Sequence, residues 1–155
     1  MQLVGKPHRR VPGWTFIAVP SVGLVQHELV VHLRQAARLA LLKESKPRLV
    51  PVAPLLYLGS LLTEDELNSR YMDLADMLLA RTDRIWLYAP KANGVVDLDY
   101  VTYQVLEKNQ CCANRRAVYR VHMGGSEPVI EPLRPKAVEA LLRANLAVGV
   151  AHQVA

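Results

Sequence analysis

Apolar runs of strand length alternate with segments of helical periodicity along the chain. The runs rich in β-branched and aromatic residues occupy residues 14–19, 49–52, 84–88 and 117–122. The segments that follow them place apolar side chains three and four positions apart, as on one helix face, and cover residues 24–43, 63–80, about 97–109 and 135–146. This β-α-β-α-β-α-β-α order predicts an α/β fold, with right-handed crossovers between parallel strands.

The domain prediction that follows is a single Rossmann-like unit over residues 14–146. Its sheet is expected to be mostly parallel, with roughly four or five strands and with helices on both faces. The most apolar run, residues 84–88, is predicted to lie at the centre. Residues 1–13 are predicted to be a flexible basic arm, and the uncharged residues 147–155 suit an interface or a disordered tail equally well.

Three connections carry more specific expectations. Thr63 and Glu66 match a capping box, in which each side chain bonds the other residue's backbone amide at a helix start. Residues 54–62 are predicted to be a loop, because Pro54 and Gly59 interrupt the pattern. Residues 124–133 are interpreted as an irregular connection or a short hairpin.

Composition adds a mildly basic surface to this picture. The 155 residues are 51% hydrophobic and 21% charged, with a net charge of +5, which is ordinary for one globular domain. Basic residues cluster at 6–10, 34–38, 43–48 and 115–120. Such clusters attract phosphate groups of a nucleotide or a nucleic acid. The plainer interpretation is a solvated basic face.

Cysteine usage and hydropathy predict a cytoplasmic protein. The two cysteines, Cys111 and Cys112, are neighbours, and bridging neighbours strains the peptide between them. A reducing compartment is therefore expected. Prolines and glycine interrupt the N-terminal apolar residues, which argues against a signal peptide, and the chain has no uncharged apolar run of about 18 residues that would cross a membrane.

Several common motifs are missing from the sequence. It has no G-x-G-x-x-G after the first strand, no P-loop and no G-x-S-x-G, so dinucleotide binding, P-loop chemistry and serine hydrolysis are not supported. His27 and His32 are five residues apart and do not share a helix face as metal ligands must. No cofactor and no metal site is predicted.

Four short segments resemble one known superfamily. They are Ala18-Val19-Pro20 after the first strand, the turn from Pro51 to Tyr57, Arg70 on the next helix, and Asp83 before Ile85-Trp86-Leu87-Tyr88. Together they resemble the nucleoside 2-deoxyribosyltransferase-like superfamily, in particular its small relatives of unknown function. The resemblance covers roughly residues 14–122 and implies a Rossmann-like fold with a nucleoside or nucleotide ligand.

In open parallel sheets, ligands bind at the carboxyl ends of the strands. In this chain three loops are expected to converge at that edge and to form one pocket. Ser21 and Gly23 stand at a helix start, where a phosphate or carboxylate binds well, and Tyr57 or Tyr88 can stack on a base. The plainer alternatives are that Ser21 caps the helix and that the tyrosines are partly buried rim residues. The candidate ligand-binding residues are Pro20, Ser21, Gly23, Tyr57, Arg70, Tyr88, Asn93 and Gly94.

The resemblance also implies catalytic carboxylates. In the transferases a glutamate beyond a loop glycine attacks the anomeric carbon, and another acid protonates the leaving base. The equivalent position after Gly94 is Leu98, flanked by Asp97 and Asp99, and no acid precedes that glycine. The candidates are Asp97 or Asp99 as nucleophile, with Asp83 or Asp73 as proton carrier. Alternatively, Asp97 and Asp99 cap a helix.

Three functional hypotheses follow. The first is an enzyme that cleaves or transfers at an N-glycosidic bond, and the second is a related protein that binds a nucleotide without turnover. The third, ranked behind them, is a nucleic-acid or protein interaction module that uses the basic arm and Arg115-Arg116. The expected partners are a nucleoside or nucleotide and further copies of the chain, and no membrane.

Overall fold

Strands and helices alternate through the part of the chain that the computed structural model describes, residues 10–20, 26–59, 61–89, 98–124 and 126–154. The strands are β1 (Trp14–Ala18), β2 (Val50–Val52), β3 (Arg84–Tyr88), β4 (Ala117–Gly124) and β5 (Glu127–Leu133). The helices are α1 (Gln26–Leu42), α2 (Pro54–Leu58), α3 (Glu64–Arg81), α4 (Tyr100–Cys111) and α5 (Pro135–Val154). None of these helices is long and apolar enough to cross a membrane.

The strands form one five-stranded sheet in the order β2-β1-β3-β4-β5. β1 lies parallel to β2 and β3, and β3 lies parallel to β4. β5 is antiparallel to β4 and forms a hairpin with it. The predicted α/β class with a mostly parallel sheet is confirmed, and the arrangement is consistent with a Rossmann-like fold. β3 occupies the centre, as its apolar sequence predicts.

Side chains alternate between two cores along β1 and β3. Phe16 and Ile85 point to one face, where α3, α4 and α5 pack, and Ile17 and Trp86 point to the other, where α1 packs. Strands that are buried on both faces are continuously apolar, which is why these runs are recognisable in the sequence. The chain therefore passes from one face to the other between α1 and α3.

Local signals explain two helix starts. At α3 the Thr63 hydroxyl accepts from the Glu66 amide at 3.3 Å, and the Glu66 carboxylate accepts from the Thr63 amide at 2.9 Å, which confirms the capping box. The prediction of a loop over residues 54–62 is wrong for its first half, because α2 begins at Pro54. Proline suits the first position of a helix, since its fixed φ is helical and its missing N–H has no intrahelical partner there.

The remaining differences lie toward the carboxyl terminus. Of the two interpretations of residues 124–133, the structure has the hairpin, and β5 includes Pro128 and Pro132. β5 and β2 are the two edges of the sheet, and β2 contains Pro51. α5 continues to Val154, beyond the end predicted near residue 146 and through most of the segment interpreted as a tail.

The segment before β1 is bonded to the amino-terminal edge of the sheet. The Val11 amide donates to the Arg81 carbonyl at 2.8 Å, and the Gly13 carbonyl accepts from the Val50 amide at 2.9 Å. Gly13 has φ +85°, and a Cβ there would lie 2.1 Å from the Arg48 carbonyl oxygen, so only glycine fits. The described end of the predicted arm is thus tied down, and residues 1–9 lie outside the described residues.

Candidate functional site

A cavity of about 370 Å³ lies at the carboxyl end of β1, between α1 on one face of the sheet and α3 and α4 on the other. This is the switch point of the fold. From β1 the chain crosses by α1 on one face to β2, whereas from β3, on the other side of β1, it crosses by α4 on the opposite face to β4. Its volume is in the range of small-molecule sites. Most of its walls are apolar; the lining residues are Phe16, Ile17, Ala18, Val19, Leu29, Leu33, Leu55, Leu67, Tyr71, Met72, Asp99, Tyr100, Val101, Thr102 and Val105.

Asp99 supplies the carboxylate of this lining and is the N-cap of α4. The Thr102 hydroxyl donates to Asp99 Oδ1 at 2.6 Å, and the Thr102 amide donates to Oδ2 at 3.3 Å. These bonds orient the carboxylate at the helix start, where a negative charge is favoured.

Tyr71 places a phenol in the same cavity from α3. Burial, with a smaller contribution from the Asp99 carboxylate, raises the pKa of its hydroxyl to about 12. The phenol is therefore protonated at neutral pH and acts as a hydrogen-bond donor. The cavity therefore contains the carboxylate of Asp99 and the neutral phenol of Tyr71 among mostly apolar side chains. Such a pair can stabilise a positive centre and donate one hydrogen bond.

Of the predicted catalytic residues that the structure describes, only Asp99 lines the cavity. Asp83 lies at the opposite, amino-terminal edge of the sheet, where it accepts from the Gly13 amide at 3.1 Å and pairs with Arg84 at 3.1 Å. A residue that directly precedes a parallel strand must lie at that edge, so Asp83 is remote from the carboxyl ends. Asp73, the alternative proton carrier, is exposed on α3 and does not line the cavity. Asp97 lies outside the described residues.

The predicted ligand-binding residues are dispersed. Tyr88 is only 1% exposed and its hydroxyl donates to Gln35 of α1 at 3.1 Å, so it packs in the core and offers no stacking platform. Tyr57, 66% exposed on α2, and Arg70, exposed on α3, do not line the cavity. Pro20 directly follows Val19, which lines it. Ser21, Gly23, Asn93 and Gly94 lie outside the described residues.

Sequence reasoning missed Tyr71 and Thr102. Tyr71 belongs to the apolar stripe of α3, and periodicity does not distinguish the phenol of a tyrosine from the leucines on the same face. Thr102 had a usable signal, because it stands three residues after Asp99, at the N3 position that an N-cap side chain bonds. In the part of the chain that the structure describes, no group of three or more His, Cys, Asp or Glu side chains is arranged to hold a metal ion.

Comparison of the chain with protein-family models, with curated proteins and with solved structures finds no match in any of the three.

Proposed function

We propose that this chain binds a nucleoside or nucleotide in the cavity and cleaves or transfers at its N-glycosidic bond. The observation that carries the proposal is the Asp99 carboxylate beside the protonated Tyr71 phenol in a mostly apolar cavity at the switch point. Apolar walls suit a planar base, and a fixed carboxylate suits the positively charged centre that forms at the anomeric carbon. The resemblance of residues 14–122 to the deoxyribosyltransferase-like superfamily points to the same chemistry.

Asp99 acts as the nucleophile in this proposal. One carboxylate oxygen forms a bond to the anomeric carbon while the carbon–nitrogen bond breaks, and the base leaves with the electron pair and takes a proton from a solvent water, which becomes hydroxide. Water or a second base then attacks the same carbon, the bond to Asp99 breaks with its electron pair returning to the carboxylate, and the attacking group gives its proton to that hydroxide. The Thr102 bonds hold the carboxylate before the reaction, and the Tyr71 hydroxyl, which retains its proton, is a hydrogen-bond donor for the bound ligand in this proposal.

The direct test measures release of free base from a panel of the four 2′-deoxynucleosides and their 5′-monophosphates. We expect the wild-type chain to release base from at least one member and Asp99→Asn to lose that activity, because an amide is a far weaker nucleophile than a carboxylate. Asp73→Asn removes an exposed carboxylate from the neighbouring α3 and is the matched control, which should keep full activity. Equal loss in both variants would contradict the assignment of Asp99.

A second function is binding without turnover, and the capping role of Asp99 favours it. Both carboxylate oxygens accept hydrogen bonds from Thr102, which is a structural use of this side chain. Binding alone would appear as thermal stabilisation by a panel member, worth about 2.7 kcal/mol at a hundredfold excess over Kd, without free base. If no panel member stabilises the chain and none is cleaved, both functions are wrong.

The cellular setting belongs to the same proposal. Both cysteines are exposed and unpaired, which fits a reducing cytoplasm. We also propose that the chain forms homo-oligomers, since exposed apolar side chains such as Leu61 and Met77 are available for contacts between copies. Light scattering coupled to gel filtration measures the assembly directly.

A further inference from the structure

Asn145 is a buried polar side chain of α5 that bonds the backbone just before α4. It is 2% exposed. Its Oδ1 accepts from the Leu98 amide at 2.8 Å, across 47 residues of sequence, and its Nδ2 donates to the Leu141 carbonyl at 2.9 Å. A buried amide needs partners for both its oxygen and its nitrogen, and these contacts provide them.

Two kinds of contact, side-chain packing and a backbone hydrogen bond, hold Leu98 in place. Its side chain is 2% exposed and packs in the core beneath α3, α4 and α5, while its amide is bonded to Asn145. Asp99 is the next residue and starts α4 with its carboxylate in the cavity. A displacement of the Leu98 backbone therefore displaces that carboxylate.

We propose that Asn145 is a positioning residue, whose hydrogen bond to Leu98 sets the place of the Asp99 carboxylate in the cavity. Asn145 does not line the cavity and so acts through the backbone. Through this contact the terminal helix controls a site formed by elements that precede it in the chain. The catalytic consequence rests on the proposed function, whereas the placement of Asp99 does not.

The placement is tested through Tyr71, which senses the Asp99 charge. Ring-labelled tyrosine is titrated by NMR, with Tyr71→Phe to assign the signal and Asp99→Asn to measure the contribution of the carboxylate. We expect Asn145→Ser, whose hydroxyl is too short to reach the Leu98 amide, to lower the Tyr71 pKa as Asp99→Asn does. Asn109 is the control, because it is also buried and bonds backbone outside its own helix, that of Arg116 seven residues later, at 2.9 and 3.1 Å. Asn109→Ser should leave the titration unchanged.

An unchanged Tyr71 titration in folded Asn145→Ser would overturn the proposal, and so would an equal change in Asn109→Ser. Asn145→Asp keeps the acceptor for the Leu98 amide and should not lower the Tyr71 pKa. If Asn145→Ser does not fold, the titration of Asn145→Asp decides, and a lowered Tyr71 pKa in Asn145→Asp overturns the proposal.

Turnover separates this inference from the proposed function. With 2′-deoxyadenosine as the probe, we expect Asn145→Ser to lower kcat by about 10- to 100-fold with a smaller change in KM, because the carboxylate is misplaced. Asn109→Ser should keep the wild-type kcat. If the wild-type chain releases no base from any panel member, the proposed function fails, and the Tyr71 titration still decides the role of Asn145.

Discussion

Tyr71 and Asp83 are ionisable side chains whose surroundings move their pKa values in opposite directions. Burial raises the pKa of Tyr71, and the nearby Asp99 charge adds to that effect. Burial also raises the pKa of Asp83, but bonds from Gly13 and Arg84 outweigh it, so the net pKa is lowered. Tyr71 is therefore kept neutral in the cavity, while Asp83 is kept charged as an anchor between the segment before β1 and the start of β3.

The raised pKa of Tyr71 makes stability fall with pH in the alkaline range. Between the ordinary value of 10 and about 12, the unfolded chain loses the phenol proton while the folded chain retains it, so folding becomes less favourable as pH rises. The full effect is up to about 3 kcal/mol. We expect Tyr71→Phe to flatten the fall in the free energy of unfolding between pH 10 and about 12, measured by urea unfolding.

Tyr57→Phe, at an exposed position of α2, is the control and should follow the wild-type slope. Part of that slope remains in Tyr71→Phe, because burial also raises the pKa of Tyr88. A wild-type slope that Tyr71→Phe leaves unaltered would contradict the environment assigned to Tyr71.

Asp99 and Asp83 are predicted from the sequence to share one site, whereas the structure places them at opposite edges of the sheet. The position of Asp99 has a local explanation. A helix start needs a side-chain acceptor, and Thr102 lies three residues later, where its amide can donate to that acceptor. Asp83 entered the site only through the resemblance, although its position before β3 already implies the far edge. Tyr71 could not be found, because which turn of a helix faces a cavity depends on packing between elements.

Among the elements, α3 depends on a side chain from outside it at its C-terminal end. Arg116, 9% exposed, donates from Nε to the Thr82 carbonyl at 3.0 Å and from Nη2 to the Ala80 carbonyl at 3.3 Å. A cation at a helix C-terminus satisfies carbonyls that have no intrahelical donor. Arg116 thus belongs to the interior, and the proposed interaction surface at Arg115-Arg116 loses one of its two guanidinium groups.

We expect Arg116→Met to lower the free energy of unfolding by about 2 kcal/mol, because one buried and one partly buried hydrogen bond from the guanidinium are lost. Arg115→Met is the control. Arg115 is exposed and donates to the Gln110 carbonyl at 2.9 Å, so its loss should cost less than about 1 kcal/mol. Urea unfolding of both variants at neutral pH decides, and equal losses would contradict the role assigned to Arg116.

Elements with local signals were predictable and those without were not. The capping box defines the start of α3 within four residues of sequence, and continuous apolar runs identify β1 and β3. α2 was missed because a proline after a strand is also a turn signal. The length of β5 was missed because two prolines within seven residues argue against a strand unless it lies at an edge.

At the scale of the whole molecule, alternation predicted the edge of the sheet at which a cavity lies, but not its place along that edge. Parallel strands joined by helices place all their carboxyl ends on one side, and a reversal of winding direction opens a crevice there. The strand order, and hence the position of the crevice beside β1, required the structure. Sequence patterns show which residues are apolar and at what spacing they recur, but not which strands become neighbours in the sheet.

Both edges of the sheet carry prolines, Pro51 in β2 and Pro128 and Pro132 in β5. A proline offers no N–H to an incoming strand, so neither border is a template on which further chains can pair in succession. We expect the double variant Pro128→Thr/Pro132→Thr to form fibrillar aggregates at concentrations where the wild-type chain stays clear, measured by light scattering and thioflavin fluorescence. Pro135→Ala, at the start of α5, removes a proline away from the edges and should remain clear.

If strands from further chains paired at the two edges of the sheet, the assembly could grow without a defined end. If copies of the chain associate as proposed, prolines at each border favour contacts through helix surfaces, where two-fold contacts close after a defined number of copies. Pro51, Pro128 and Pro132 are therefore expected to favour a finite assembly over a fibre.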